Sequence, residues 1–408
     1  MEGAEVLLLT GGHVIDPANS IDTVMDVSIR DGRIAGVGKG LNADGARVID
    51  MAGYYVTPGL IDMHTHVYLF DKGPDNYVGG IHADAHLFAS GVTTTVDAGT
   101  AGWRNFEDFK IRCIEPSKVR ILAFVNIAGP GMVEASKEQD IDEMRPKEAA
   151  SVAKAFPTPV VGIKTAHYRV EGAFDKSHPP WESVDRAIEA AEMCGRPVMA
   201  DFFPRPPERS YPDLLLKHLR PGDIHTHMFA RQFPIVNDQG KVNGSLREAR
   251  ERGIIFDLGH GAGSFLFRNA VPALRDGFPP DSISTDLHMA NINGPVISMV
   301  RTLSKLLNIG MPLQSLIMRS TAAPAREINR PELGTLTPGS AADVAAFSLV
   351  DGTFGFTDTG KTRLNGNRLL ECVLTLREGE IVYDPGGLSM PEWENAPSEY
   401  WEMPERGE

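Results

Sequence analysis

The sequence predicts an α/β fold: a (β/α)8 TIM barrel with a small β-sandwich built from the N- and C-terminal segments. Residues 56–330 alternate apolar, strand-like runs with amphipathic helical patterns, and eight such runs occur. Residues 1–55 and 331–390 instead carry short alternating runs broken by glycine turns. A length of 408 residues is sufficient for one barrel and a second, smaller sheet domain.

Both ends of the chain have the pattern of antiparallel sheet. In the first part of the sandwich, residues 1–55, Asp31-Gly32 separates the alternating runs VMDVSIR and RIAGVG, which is typical of a tight hairpin turn. The second part, residues 331–390, repeats this pattern with DVAAFSLV and RLLECVLTLR. Two β-rich ends around a different middle indicate one sheet domain. Residues 391–408 are acidic and contain proline, so we expect them to form a C-terminal tail.

The middle segment has the pattern of parallel strands that are each followed by a helix. WESVDRAIEAAEMCG (181–195) has a helical apolar pattern and ends at a glycine, as helices commonly do. A doubly wound open sheet is the runner-up, but no GxGxxG follows the first strand. The eight expected strands are GLIDMHTH, GVTTTVDAG, RILAFVNIAG, VVGIKTAH, RPVMADFF, GDIHTHMF, GIIFDLGHG and DSISTDLH.

Composition and charge restrict the classes of partner and compartment. Lys and Arg total 40 against 54 Asp and Glu, a formal net charge of −14, which argues against nucleic acid or an anionic membrane as partner. The three cysteines are far apart, so no disulfide framework is indicated. No apolar run approaches the ~20 residues of a membrane span, and residues 1–12 lack the basic start of a signal peptide. We therefore expect a cytoplasmic protein.

Polar, chemically versatile side chains stand at the ends of the expected strands. His64 and His66 close the first strand, and their i, i+2 spacing sends both rings to the same side, as two ligands of one metal require. In a barrel, the C-terminal ends of all strands meet in one pocket. The other candidates at these ends are Lys164, His225, His227, His260, Asp286 and His288.

At these positions the sequence resembles a known family. TPGLIDMHTH (57–66) resembles the PGxIDxHxH signature of the amidohydrolase superfamily of metal-dependent hydrolases. The resemblance is closest to the amidohydrolase/deacetylase branch, which hydrolyses N-acyl and O-acyl compounds, and it also implies a homo-oligomer. It continues through GVTTTVDAGTAG, GIK, FDLGHGAGSF, STDLH and GTLTPGSAADV.

The resemblance implies a ligand set for one or two divalent cations, with zinc as the expected ion. His64 and His66 match the pair that binds the more buried metal, and His227 matches a ligand of the more exposed one. Lys164 matches the fourth-strand lysine that becomes N6-carboxylysine and bridges two metals. Asp286 matches the aspartate that ligates the buried metal and moves the proton of the attacking water.

One position departs from the family pattern. The fifth strand normally offers a histidine to the exposed metal, as in VMxH, whereas this chain has Val198-Met199-Ala200-Asp201. Carboxylates bind zinc and manganese, so Asp201 is one candidate replacement ligand. His225 is a second, because it shares a strand face with His227. Loss of the exposed metal, which leaves a mononuclear enzyme, is the third alternative.

The function expected from these residues is hydrolysis of an amide or ester of a small molecule. Metal-activated water attacks the carbonyl, and an aspartate shuttles the proton. A cyclic amide hydrolase, similar to dihydroorotase or hydantoinase, is the alternative, and a non-catalytic scaffold is a further one. Candidate substrate contacts are His260, His288, Arg169, Arg205 and His225, with the arginines suited to a substrate carboxylate.

Overall fold

A computed structural model of the chain describes residues 6–70 and 79–398. Its strands form two sheets, one from both chain ends and one from the middle of the chain. The terminal sheet has the order β15-β14-β13-β5-β1-β2-β3, with β4 on β1. Its strands are β1 (Val6–Asp16), β2 (Ile21–Arg30), β3 (Arg33–Gly38), β4 (Ala46–Asp50), β5 (Tyr55–Pro58), β13 (Val344–Thr357), β14 (Arg363–Arg377) and β15 (Glu380–Tyr383).

The second sheet contains the parallel strands of a TIM barrel, in sequence order. Each strand is hydrogen-bonded to the next one along the chain, which is the arrangement predicted from the alternating pattern. These strands are β6 (Leu60–Thr65), β7 (Val92–Gly102), β8 (Arg120–Asn126), β9 (Val160–Thr165), β10 (Val198–Ala200), β11 (Ile224–His225) and β12 (Ile255–Phe256).

The predicted eighth strand closes the barrel through isolated bridges. Ser282 pairs in parallel with Asp257 beyond β12, and Leu287 pairs in parallel with Thr65 at the end of β6. Asp62, in the middle of β6, fixes this closure. Its carboxylate accepts hydrogen bonds from the Thr285 backbone N–H at 3.0 Å and from the Thr285 hydroxyl at 2.6 Å. Burial raises the pKa of Asp62 to about 7.

Helices follow the barrel strands and cover the sheet. Helix α4 is capped by Gly195, the glycine at which the sequence predicted its end. The φ of Gly195 is 67°, in the left-handed region, and its N–H donates a hydrogen bond to the Ala191 carbonyl. Among the described helices, none combines the length and apolarity that a bilayer crossing needs. The helices are α1 (Ala83–His86), α2 (Phe106–Phe109), α3 (Pro146–Ala155), α4 (Glu182–Cys194), α5 (Tyr211–Asp213), α6 (Gly244–Glu251), α7 (Phe267–Arg275), α8 (Met299–Asn308), α9 (Leu313–Arg319) and α10 (Ala322–Glu327).

Two local features of the terminal segments bear on the sequence analysis. The Asp31-Gly32 pair joins β2 to β3 with φ of 52° and 71°, a left-handed turn that opposes Arg30 to Arg33, so the hairpin prediction is confirmed. Of the predicted tail, residues 391–398 are described and contain a 3-10 turn, Trp393–Asn395. The rest of that prediction, residues 399–408, lies outside the described residues.

The barrel interior is filled with apolar side chains below the strand ends. Met63, Phe124 and Met199 are completely buried in one cluster inside the sheet. Gly162 on β9 is required there, because a Cβ at this position would lie 2.4 Å from the Phe124 ring. This close packing fixes the part of β9 that carries Lys164 two residues later.

The buried carboxyl group of Glu327 gives a pH-dependent test of this packing. Glu327 ends α10, and its Oε2 is buried without a hydrogen-bond partner among the described residues. Burial raises its pKa to about 8 from the ordinary 4.5, so folding favours the protonated form. Stability of the wild type is therefore lost as the pH rises from about 4.5 to about 8.

We predict that Glu327→Gln removes this pH-dependent loss of stability. The melting temperature of the variant should equal that of the wild type near pH 5 and exceed it by a few degrees above pH 8. Thermal unfolding across this pH range measures the difference, and the exposed Glu251→Gln on α6 serves as the control. A difference that does not change with pH would contradict the assignment.

Candidate metal centre

The ends of four barrel strands and the closing segment bring six polar side chains together. They line a cavity of about 320 Å³, which has Met132 and Phe203 as apolar walls and Gln232 and Ser264 as polar ones. A larger cavity of about 630 Å³ lies between α8 and the terminal sheet, and none of the described residues that line it is a histidine. The six convergent side chains are His64, His66, Lys164, Asp201, His227 and Asp286.

Three of these residues form a compact, buried ligand cluster. The carboxylate Oδ1 of Asp286 lies 3.0 Å from His66 Nε2 and 3.6 Å from His64 Nε2. One ligand atom from each residue lies within 4.8 Å of the other two, a spacing that suits a single cation. The donor set, two imidazoles and one carboxylate, is one that divalent metals such as zinc accept.

Hydrogen bonds at the opposite ring nitrogens orient two of the histidines. Thr226 donates its proton to Asp257 at 2.7 Å and therefore accepts from His64 Nδ1 at 2.9 Å. His227 Nδ1 lies 2.6 Å from the Gly259 carbonyl, which only accepts. In the neutral form of each ring the proton is therefore on Nδ1, and Nε2 is left to face the cavity, as a metal ligand requires. Burial would lower the pKa of His227, but Asp201 raises it above its ordinary value, so a cation competes with a proton for this Nε2.

Lys164 has the environment of a lysine that reacts as a free amine. Its side chain is completely buried, and its Nζ has no hydrogen-bond partner among the described residues. Burial lowers the pKa of this amine, although nearby Asp201 and Asp286 oppose the shift. Gly99 makes room for the chain, because a Cβ there would lie 2.6 Å from the Lys164 Cγ. A buried, unpaired amine whose pKa is lowered fits the carbamate that the resemblance implies.

Asp201 occupies the fifth-strand position and faces the sixth-strand histidine. Its Oδ2 lies 3.5 Å from His227 Nε2, and its Oδ1 is buried without a hydrogen-bond partner among the described residues. Burial would raise the pKa of Asp201, but His227 and His167 lower it below its ordinary value. An ionised carboxylate with one unused oxygen beside an imidazole is a suitable pair of cation ligands.

His225 lies on the other side of β11 from the cavity. Its Nε2 lies 2.9 Å from the Tyr211 hydroxyl, and its ring is edge-on to Phe233 at 4.6 Å. Burial lowers the pKa of His225 to about 3, so the ring is neutral. The geometry therefore gives no support to His225 as a replacement ligand or as a substrate contact.

The predicted substrate contacts are distributed between the cavity and its surroundings. His288 lines the cavity, whereas the buried His260 lies 2.8 Å from Lys305 Nζ and stacks on Phe265. Arg169 donates to the Ala173 carbonyl, and Arg205 donates to the carbonyls of Arg169 and Gly172. Both guanidinium groups thus bind backbone in the β9–α4 loop, and neither is among the residues that line the metal cavity.

One residue of the cavity wall is absent from the sequence predictions. His167 lies three residues after Lys164, and its Nε2 is 3.2 Å from Asp201 Oδ2. Its Nδ1 is 3.1 Å from Glu138 Oε2. Burial alone would lower the pKa of His167, but the two carboxylates raise it to about 9. The only signal in the sequence was the position of His167 at the end of the fourth expected strand.

Three residues that line this cavity have a strained backbone. His167, His227 and Asp286 have φ values of 54°, 61° and 51°, in the left-handed region that costs energy for residues other than glycine. Gly261 allows the carboxylate of Asp286 to approach, because a Cβ there would lie 2.5 Å from Oδ2. Such strain persists where the surrounding structure holds a side chain in a required position.

We predict that Thr226→Val weakens metal binding without unfolding the protein. Valine keeps the shape of the side chain but leaves His64 Nδ1 without its acceptor, so the ring is no longer fixed. Metal affinity, measured by competition with a chelator, should fall by about 10- to 100-fold. Thr93→Val is the matched control, since the buried Thr93 hydroxyl has no hydrogen-bond partner among the described residues. Equal affinity in Thr226→Val and the wild type would contradict the role of this contact.

Comparisons with known proteins agree with the fold. A protein of Brucella anthropi named deacetylase is 34% identical over 379 residues, which cover 91% of each chain. The crystal structure of an adenine deaminase superposes with a TM-score of 0.82 at 28% identity and covers 93% of this chain and 99% of its own. A dihydroorotase crystal structure gives a TM-score of 0.80 at 30% identity, with 93% and 98% covered.

No family model matches the chain. The similarity to the deacetylase nevertheless extends over nearly the whole of both proteins, and the solved structures share the barrel and the terminal sheet. This chain belongs to the amidohydrolase superfamily of metal-dependent hydrolases, in its deacetylase branch.

Proposed function

We propose that this protein is a deacetylase that removes a small acyl group from an amide or ester of a small molecule at a two-cation centre. The observation that carries the proposal is the buried, unpartnered amine of Lys164 between two groups of ligand side chains. The relative named deacetylase, at 34% identity over 91% of both chains, supports the choice of substrate class.

The proposed centre holds two zinc ions. His64, His66 and Asp286 bind the first, and Asp201 with His227 binds the second. Lys164, as N6-carboxylysine, would supply a carbamate ligand between these two groups. The Lys164 amine would form this carbamate by attack on CO2 with release of one proton. The product is an anionic ligand, which removes the cost of an unpaired buried amine.

A divalent cation, when bound, polarises the substrate carbonyl and lowers the pKa of water toward neutrality. Asp286 is the group of this chain that receives and returns the proton. Burial would raise its pKa, but His66 and His288 lower it to about 2, so its carboxylate is ionised at neutral pH. Asp286 takes the proton of the attacking water and then delivers it to the leaving amine or alcohol.

The walls of the cavity restrict the substrate to a small molecule. A volume of about 320 Å³ is at the lower end of the range for small-ligand sites. Met132 and Phe203 offer apolar contacts for an acyl group, while Gln232, Ser264 and His288 offer hydrogen bonds to a polar substrate. The cytoplasmic location and the homo-oligomer expected from the sequence stay predictions.

A cyclic amide is the second candidate substrate, because a solved dihydroorotase is 30% identical and superposes with a TM-score of 0.80. A panel of N-acetyl and O-acetyl compounds, assayed beside dihydroorotate and hydantoins, separates the two. Release of acetate from the first group without ring opening in the second supports the deacetylase. The reverse result favours the cyclic amide hydrolase, and no turnover in either group would revive the scaffold alternative.

Metal content tests the two-cation centre. We expect elemental analysis to find about two equivalents of zinc per chain in protein purified with bicarbonate and without chelator. One equivalent would show that the exposed metal is lost and that Asp201 is not a ligand. None, even after reconstitution with zinc, would contradict the enzyme assignment.

Asp286→Asn separates proton transfer from metal binding. The amide keeps an oxygen toward His66 but cannot accept the proton, so turnover should fall by about 10²- to 10⁴-fold while the metal content is kept. Steady-state kinetics and elemental analysis on the same preparation measure both. Asp175→Asn, an exposed aspartate in the β9–α4 loop, is the control. Near wild-type turnover in Asp286→Asn would rule out the proton-transfer role.

A further inference from the structure

His167 connects the fifth-strand aspartate to a buried glutamate. The imidazole lies between the two carboxylates, with Nδ1 3.1 Å from Glu138 Oε2 and Nε2 3.2 Å from Asp201 Oδ2. The Glu138 side chain is 1% exposed and the Asp201 side chain 5% exposed. The imidazole between them is 24% exposed, so each contact has one buried partner, which strengthens it relative to surface ion pairs.

Glu138 is itself fixed to the barrel. Its Oε1 accepts a hydrogen bond of 2.9 Å from Asn126 Nδ2, and Asn126 is the last residue of β8. The same amide also donates to the Gly99 carbonyl on β7 at 3.1 Å. A continuous chain of contacts thus runs from two rigid strands through Glu138 and His167 to Asp201.

The backbone of His167 indicates that this position of the ring is imposed by its surroundings. Its φ of 54° is left-handed, and the other non-glycine residues of the cavity wall with such a backbone are His227 and Asp286. Both of these belong to the proposed ligand set. Strain of this kind is retained where the fold holds a functional side chain in place.

We infer that His167, anchored by Glu138, is the positioning residue that makes Asp201 a ligand of the second cation in place of a fifth-strand histidine. The inference rests on the two-cation centre of the proposed function. His167 holds Oδ2 of Asp201 and fixes the plane of the carboxylate, so Oδ1, which has no partner among the described residues, is left for the cation. Hydrogen bonds to ligating carboxylates act in this way on metal affinity.

A set of variants tests this role through metal binding rather than turnover. In His167→Ala, the affinity for the second zinc ion should fall by about 10- to 100-fold, while the first ion is bound as in the wild type. In Asp201→His, the ligand no longer depends on an outside hydrogen bond. In the Asp201→His background, His167→Ala should therefore change the affinity for the second zinc ion little. A general structural role of His167 would instead lower this affinity equally in both backgrounds.

The readout is stepwise zinc binding by chelator competition, with elemental analysis of the isolated proteins. His178→Ala is the matched control, since His178 is a partly exposed histidine in the same loop that pairs with Asp175. If His167→Ala does not fold, Glu138→Gln replaces it, because this change removes the carboxylate anchor at nearly constant volume. Weakening of the second site in Glu138→Gln then supports the inference, and an unchanged second affinity overturns it.

The outcomes separate this inference from the proposed function. Two tightly bound ions in the wild type and equally tight binding in His167→Ala would overturn the role of His167 and leave the two-cation centre intact. An equal loss of affinity from His167→Ala in the wild-type and Asp201→His backgrounds would also overturn it. A single ion in the wild type would instead contradict the two-cation centre, and the inference would fail with it.

Discussion

The closure of the barrel between β6 and the segment after β12 is the constraint on which the site depends. The Asp286 backbone N–H bonds the His64 carbonyl at 2.6 Å, and Asp62 holds Thr285 from the other side. These contacts join residues that are more than two hundred positions apart in the sequence. They bring the carboxylate of Asp286 within 3.0 Å of His66 Nε2, and without them the three-residue ligand cluster does not exist.

Around this closure, burial and hydrogen bonding together determine the chemical state of each group. Removal from water favours neutral forms, which suits His64 and Lys164, while adjacent imidazoles keep the carboxylates of Asp201 and Asp286 ionised. Neutral imidazoles with fixed Nδ1–H groups and ionised carboxylates are the states that cations bind. The apolar cluster of Met63, Phe124 and Met199 beneath them keeps these positions rigid.

The sequence predicted the site best where the candidate ligands stand at strand ends. The His64-x-His66 pair, Lys164, His227 and Asp286 follow apolar runs of strand length, and barrel topology alone requires such ends to meet. His167 and Glu138 were not identified, because their roles depend on how the 3-10 segment Gly131–Gln139 packs over β7 and β8. His225 was overestimated for a related reason: β11 contains only Ile224 and His225, so the alternation that would put it on the face of His227 does not continue.

The most direct test of the account is a crystal structure with anomalous diffraction data at the zinc edge. We expect two anomalous peaks about 3.5–4 Å apart, one among His64, His66 and Asp286 and one beside Asp201 and His227. Electron density should continue from the Lys164 Nζ toward both peaks. Absence of anomalous signal at these residues in zinc-loaded crystals, or peaks bound by other side chains, would contradict the metal centre described here.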